Sequence, residues 1–452
     1  MNKVKRLIII ALCNVVLGGG SMYAQEEYTE WNLEKCINYA LENNISIRKN
    51  KIAAESSYVD ILSAKADLFP NLSFSTSHNF VNRPLTEDGN AKTNSYNGNY
   101  GLNASWTVFN GGKNTKNVTQ QKLSNQISEL TVETSENSLI VSIAELYIQI
   151  LYANESVRIN ESTLAVSEAQ LNRAKELLNV GSIARSDYAQ LEAQYSSDKY
   201  MLVNSQTALE NYKLQLKQLL EIDGNQDITI SIPELSEDNI LTILPDKDDI
   251  YCTALSYRPE IMAGKLQIDA GELNVDIAKA GYYPTLSLSA GVGTNHTSGS
   301  DFTFAQQIKN GWNNSVGVTL SVPIFNNRQT KSAVQKAKLN YESTKLDMLN
   351  EEKALYRSIE GYWLNATSAQ QQFVAAREKL YSSETSYELV NEQFNLGMKN
   401  TVELLTEKNN LLSAQQELIQ AKYMAILSIE LLKFYQGEEI SLKTYLDEYT
   451  YE

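Results

Sequence analysis

Two very long runs without proline dominate this 452-residue sequence. All seven prolines fall at 70, 84, 233, 245, 259, 284 and 323, so residues 110–222 and 326–436 are free to be helix. From 113 to 222 the one glycine is Gly181; from 326 to 436 there are Gly361 and Gly397. A glycine followed by Ser or Asn and an acidic residue reads as a helix stop and a fresh start. Glu176-Leu-Leu-Asn-Val-Gly181-Ser-Ile-Ala-Arg-Ser-Asp187 is echoed 216 residues on by Glu392-Gln-Phe-Asn-Leu-Gly397-Met-Lys-Asn-Thr-Val-Glu403. Each run therefore predicts a long outgoing helix, a tight turn and a shorter returning helix. An outgoing helix of about 65 residues is roughly 100 Å long, which no compact domain needs.

The returning helices carry a seven-residue apolar period. From Tyr188 it reads Leu191, Tyr195, Asp198, Leu202, Ser205, Leu209, Tyr212, Leu216 and Leu219, interrupted only by Asp198 and Ser205. The second copy has Leu404, Leu411, Leu418, Ala425 and Leu432, and Leu123, Ile127 and Leu130 begin a similar stripe on the first outgoing helix. A heptad held this long specifies left-handed coiled-coil packing.

Ahead of each hairpin the period changes from 3.6 to 2. Leu72, Phe74, Thr76, His78 and Phe80 alternate with Ser73, Ser75, Ser77 and Asn79; Tyr100, Leu102, Ala104, Trp106 and Val108 alternate with Gly101, Asn103, Ser105 and Thr107. The second copy does the same with Leu286, Leu288, Ala290 and Val292, and with Val316, Val318, Leu320 and Val322. Strands of about ten residues with one apolar and one small-polar face are the pattern of a transmembrane β-barrel. A soluble sandwich also alternates, but its polar face carries Lys and Glu, whereas this one is nearly all Ser, Gly, Asn and Thr. Phe74, Trp106, Leu288 and Leu320 are the expected lipid-facing residues. Aromatic residues at strand ends, among them Phe80, Tyr100, Phe109, Tyr282 and Trp312, suit interfacial girdles. Four strands per chain cannot close in lipid, so copies must join: two give eight strands and a filled interior, three give twelve and an open lumen. With the helices closing alongside as a second tube, the physical reading is a continuous duct.

Composition agrees. The chain has 39 basic and 54 acidic residues and a net charge of −15, which disfavours nucleic acid as a partner. Lys3, Lys5 and Arg6 precede the apolar run Leu7–Leu17, a secretory signal with cleavage expected after Ala24. Cys13 lies in that run behind Leu12, which is not the small residue a lipoprotein signal wants, so no lipid anchor is expected there. Cys36 and Cys252, taken as matching positions 216 apart, are expected to be buried free thiols. His78 and His296 lack companions at ligand spacing, the methionines do not cluster, and Gly111-Gly112 has no following Lys-Ser/Thr, so neither enzyme chemistry nor a metal or cofactor is expected. The expected organisation is a signal peptide at 1–24, a first repeat at 25–222, a linker at 223–247, a second repeat at 248–436 and a short tail at 437–452.

In this order, and twice over, Ala40-Leu-Glu-Asn-Asn44, Ala64 to Pro70 with its copy Ala278 to Pro284, Phe109-Asn-Gly-Gly112, Val180 to Asp187 and Leu396 to Glu403 are specific. The chain resembles the TolC-type outer-membrane efflux duct family over essentially the whole mature length. The resemblance implies a mainly α fold with a membrane β-barrel: a homotrimer with a twelve-stranded barrel in the bacterial outer membrane, above a helical tunnel reaching into the periplasm. It also implies a periplasmic tip that docks a membrane-fusion adaptor, linked to an inner-membrane pump of RND, ABC or MFS type, and passage of substrate without any enzymatic step. In that family the closed tunnel is held by an Asp on the first hairpin tied to an aromatic and a basic residue on the second. Counted from the turn glycines, those positions are Asp187, Phe394 in place of the usual tyrosine, and Lys399. Glu403 takes one acidic ring position. Thr406 stands where a second acid belongs, so that ring is either absent or moved to Glu407. Gly181, Ser182, Gly397 and Met398 form the turns that would meet the adaptor. Read as simple helix chemistry, Asp187 and Glu403 stabilise helix N-termini, since Asn400-x-x-Glu403 has capping-box spacing. A periplasmic coiled-coil tether without transport is the alternative, and it gives the four strands no purpose.

Overall fold

A computed structural model describes residues 30–82, 94–223, 228–233, 235–237, 239–443 and 445, together with the backbone of 444. The expected signal peptide, Cys13, Pro84 and the end of the tail lie outside the described residues.

The chain opens with two helices, α1 (Leu33–Asn43) and α2 (Ile45–Ala66), capped by Asn32, whose side chain accepts from Lys35 N, and by Asn44, which accepts from Ser46 N and Ile47 N. Pro70 then ends helical structure, and β1 (Asn71–Asn82) and β2 (Asn94–Asn110) form a hairpin. Helix α3 (Lys113–Asn179) runs 67 residues to the Gly181 turn, and α4 (Arg185–Leu219) returns. The second copy follows as α5 (Lys247–Tyr257), α6 (Pro259–Lys279), β3 (Thr285–Thr297), a short α7 (Phe304–Asn310), β4 (Asn313–Ser321), α8 (Gln329–Asn395, again 67 residues) and α9 (Thr401–Phe434). Helices α5 and α6 start 214 residues after α1 and α2, whereas α8 and α9 start 216 after α3 and α4. The two extra residues enter between the strands of the second copy, where α7 sits.

That shift corrects the expectation for the cysteines. Cys36 is fully buried, but its counterpart is Ile250, also fully buried, and not Cys252. Cys252 falls two residues further along α5, matches exposed Asn38, and is itself exposed. Burial pushes the Cys36 thiol up to about 12, so almost none of it is thiolate near neutral pH. In the folded protein a maleimide is expected to label Cys252 within minutes and to reach Cys36 only after denaturation. Equal labelling of both before denaturation would contradict this packing.

The strands form one antiparallel sheet in the order β1-β2-β3-β4. Over the helix-proximal half of the sheet the register sorts residues into mainly apolar and small-polar rows. Leu72, Ala104, Ala290 and Val316 make one row; Ser73, Asn103, Gly291 and Ser315 make the next; Phe74, Leu102 and Val292 follow, with polar Asn314 as their β4 member, then Ser75, Gly101, Gly293 and Asn313. Alternation along each strand thus becomes two distinct faces of the sheet. Trp106, Leu288 and Val318 share a row near the helix-proximal end, and the indole N–H of Trp106 donates to the Leu68 carbonyl at 2.8 Å. His78 and His296 lie in one row either side of Gly98, with the Tyr96 hydroxyl 2.6 Å from His78 Nδ1.

The helices repeat the order of the strands: α2 packs on α3, α3 on α6 and α6 on α8, while α4 returns along α3 and α9 along α8. The main core sits at the waist, around Ile143, Tyr147, Leu151, Leu216 and Phe373. The 223–247 segment straps across it. Ile228, Ile230 and Ile232, which alternate like a strand, make only one bridge there, Ile230 with Trp31, and Tyr147 donates to the Ser231 carbonyl at 2.6 Å. Gln370 Nε2 holds the carbonyls of Ile240 and Thr242 at 2.8 and 2.9 Å.

Candidate functional site at the hairpin tips

Both turns close in the same way. Gly181 and Gly397 each take φ +74°, in the left-handed region where a side chain is strained. In the first turn Ser182 N donates to the Leu177 carbonyl and Gly181 N to that of Leu178; in the second Met398 N donates to Gln393 and Gly397 N to Phe394. These paired bonds satisfy the last helical carbonyls and let each long helix end within one residue. The restarts differ. Asn400 caps α9 in a full capping box with Glu403, whereas α4 starts at Ala184 with no side-chain cap and with Asp187 in its first turn.

Between the two turns lies a cleft of about 1220 Å³. Asp187, Phe394 and Lys399 all line it, as do Gly181, Ser182 and Gly397. Met398, 70 % exposed, and Glu403 lie outside the lining, and Val180 and Leu396 are exposed apolar side chains beside the turns. The Lys399 ammonium lies 2.6 Å from a Glu403 oxygen, one turn along its own hairpin, and not on Asp187. That contact, with the Asn400 backbone N–H, holds the Glu403 carboxyl below the usual glutamate range. A depressed carboxyl loses its stabilising effect only as pH falls through that lowered value, so Glu403 stays charged where an ordinary glutamate begins to protonate. Thr406 back-bonds to the Val402 carbonyl at 2.8 Å, and Glu407 accepts from the Ser386 hydroxyl at 2.9 Å.

The ties between the hairpins come largely from residues that the sequence pattern did not single out. Gln170 on α3 donates to the Tyr387 hydroxyl at 3.3 Å, and Arg173 donates to the Asn395 side chain across the cleft. Deeper in, Asp198 of α4 meets Lys408 of α9 at 2.5 Å. The arrangement is a pair of coils joined by a few polar contacts over an open cleft.

The sequence matches the description of the outer membrane efflux protein family over residues 36–221 and 250–437, one segment for each repeat. The chain belongs to that family. It is 24 % identical to outer membrane protein TolC of Escherichia coli K12 over 434 residues, covering 94 % of this chain and 85 % of that one. It is 23 % identical to TolC of Salmonella enteritidis, covering 96 % and 87 %. The Campylobacter jejuni CmeC outer membrane channel superposes with a TM-score of 0.78 at 20 % identity, over 93 % of this chain and 91 % of CmeC. This family member is therefore a bacterial outer-membrane protein that extends into the periplasm, an efflux or secretion duct whose sheet belongs to the barrel and whose helices belong to the tunnel.

Proposed function

We propose that three copies close a twelve-stranded barrel continuous with a helical tunnel, forming the exit duct of a tripartite efflux or type I secretion system. The hairpin tips gate the tunnel and dock a periplasmic membrane-fusion adaptor, which joins the duct to an inner-membrane pump of the RND, ABC or MFS type.

The observation that carries this reading is the pair of open edges at matching ends of the repeat. Strands β1 and β4 edge the sheet, and an unpaired edge is not tolerated in lipid. Helices α2 and α8 end the helical row on the same sides. On α8, Leu339 and Leu346 are 65 % and 66 % exposed, while their counterparts Leu123 and Leu130 on α3, which packs on α6, are half-buried. On α2, Ile52 and Val59 are 65 % and 59 % exposed, while their counterparts Leu266 and Leu273 on α6 are half-buried. The contact of α3 with α6 inside the chain is thus the template for α8 of one copy against α2 of the next. In such a ring the apolar rows of the sheet face lipid and the Ser/Asn/Gly rows line the lumen.

At the tip, three copies bring three Glu403 carboxylates together, which attract cations and repel one another, with Lys399 partly neutralising each. The two hairpins of a chain are joined near the tips by few contacts, Gln170–Tyr387 and Arg173–Asn395, that line an open cleft, so an adaptor can release them. In planar bilayers the wild-type trimer is expected to conduct poorly. Asp187→Ala with Lys399→Ala should raise single-channel conductance several-fold without loss of trimer, and Glu403→Gln should lower cation selectivity. Unchanged conductance in the first and unchanged selectivity in the second would reduce these residues to helix-end stabilisers.

A further inference from the structure

Asp198 interrupts the apolar heptad of α4, and the structure shows what that interruption serves. Its side chain is 3 % exposed and faces the Lys408 ammonium, 5 % exposed, at 2.5 Å. The Ser167 hydroxyl of α3 touches both groups. Gln194 Nε2 donates to the other Asp198 oxygen at 2.8 Å and also meets Asn409 Oδ1 at 3.4 Å. Three helices from both hairpins therefore meet on one buried ion pair.

The duplication shows that a hairpin of this fold packs without a charge at that position. The counterpart of Asp198 is Ala414, fully buried, so the second hairpin packs the same position with a methyl group. The counterpart of Lys408 is Glu192, exposed. The pair is specific to the joint where the second hairpin lies against the first in one chain. At the equivalent joint between chains, the same positions offer only Glu192 and Ala414, which cannot pair.

We infer that Asp198–Lys408 is a fixed pivot, about which the two tips of a chain swing while the joints between chains part. The inference rests on the gating reading above and adds where the movement stops. Separating a buried pair strands two uncompensated charges, whereas the ties between the hairpins nearer the tips, Gln170–Tyr387 and Arg173–Asn395, line an open cleft and are exchanged for water at less cost. Lys408 stands eleven residues beyond Gly397, about 16 Å along the helix, and Asp198 seventeen beyond Gly181, about 25 Å. Only those end segments move, and their length sets the aperture.

Two measurements on the full-length trimer test this, both with Cys252→Ser. First, Gln194→Cys with Asn409→Cys is bridged beside the pivot by a short bis-methanethiosulfonate in the opened Asp187→Ala/Lys399→Ala background. Conductance should stay at the opened level; a fall to the closed level, reversed by dithiothreitol, overturns the pivot. Bridging Arg173→Cys with Asn395→Cys at the tips should instead close the channel. Second, Asp198→Leu with Lys408→Met in the otherwise unaltered protein removes the pair without stranding a charge. Its traces should show several sub-conductance levels where the parent shows one; a single parental level makes the pair mere packing. Failure of the Asp187/Lys399 variant to open counts against the gate, and the second measurement then decides the pivot.

Discussion

Phe74→Arg is expected to abolish the heat-labile trimer band of outer-membrane extracts on a mild SDS gel, while Ser75→Arg leaves it intact. The two residues are neighbours on β1, but Phe74 stands in the row of Leu102, Val292 and Asn314, on the face that carries Leu72, Val316 and Val318, and Ser75 in the row of Gly101, Gly293 and Asn313. If the first row meets lipid, an arginine there near the membrane midplane costs about 2–4 kcal/mol in each chain, and three chains carry it in one barrel. An arginine in the second row enters a watery lumen and should alter conductance instead. The cost fades to about 0–1 kcal/mol towards the interface. Trp106→Arg is accordingly expected to be mild, because Trp106 lies at the helix-proximal end beside Leu68. An intact Phe74→Arg trimer with a lost Ser75→Arg trimer would turn the sheet inside out.

Ile52→Asp combined with Leu346→Asp is expected to yield monomers by light scattering in detergent. Each side chain is about two-thirds exposed in the single chain, and the proposed ring would place each at the joint between copies. Burying an aliphatic side chain of this size is worth about 1.5–3 kcal/mol, and the ring contains three such joints. Replacing both with carboxylates also sets like charges against each other across every joint. A stable trimer of the double variant would mean that α2 and α8 of different chains do not meet.

The long helices, their turns and the four strands were legible because each is a local pattern. Absence of proline, a lone glycine at each turn and a switch of period from 3.6 to 2 leave few alternatives, and the Asn32 cap follows from residue type alone. Short α7 was missed, although Thr303 and Gln306 form a capping box. Overlooking its two extra residues led to pairing Cys252 with Cys36 and to the wrong burial. The Asp198–Lys408 pair was half legible: a carboxylate inside an apolar heptad signals a buried partner, but that partner lies 210 residues away on another coil. Lys399 took the nearer of two carboxylates, the one in its own helical turn, because an i,i+4 contact requires no second element to be in place. The alternation of Ile228, Ile230 and Ile232 reads as a short strand, but only Ile230 bridges a partner, because side chains such as Tyr147 and Gln370 take carbonyls of the waist segment instead of a second strand.

Cysteine cross-linking of Ile52→Cys/Leu346→Cys, in a Cys252→Ser background, tests the closed three-chain duct most directly. After bridging in the outer membrane and full denaturation, a non-reducing gel should show monomer, dimer and trimer, with trimer as the endpoint at saturating reagent. No cross-link, an endpoint at dimer, or a ladder running past trimer would contradict the duct.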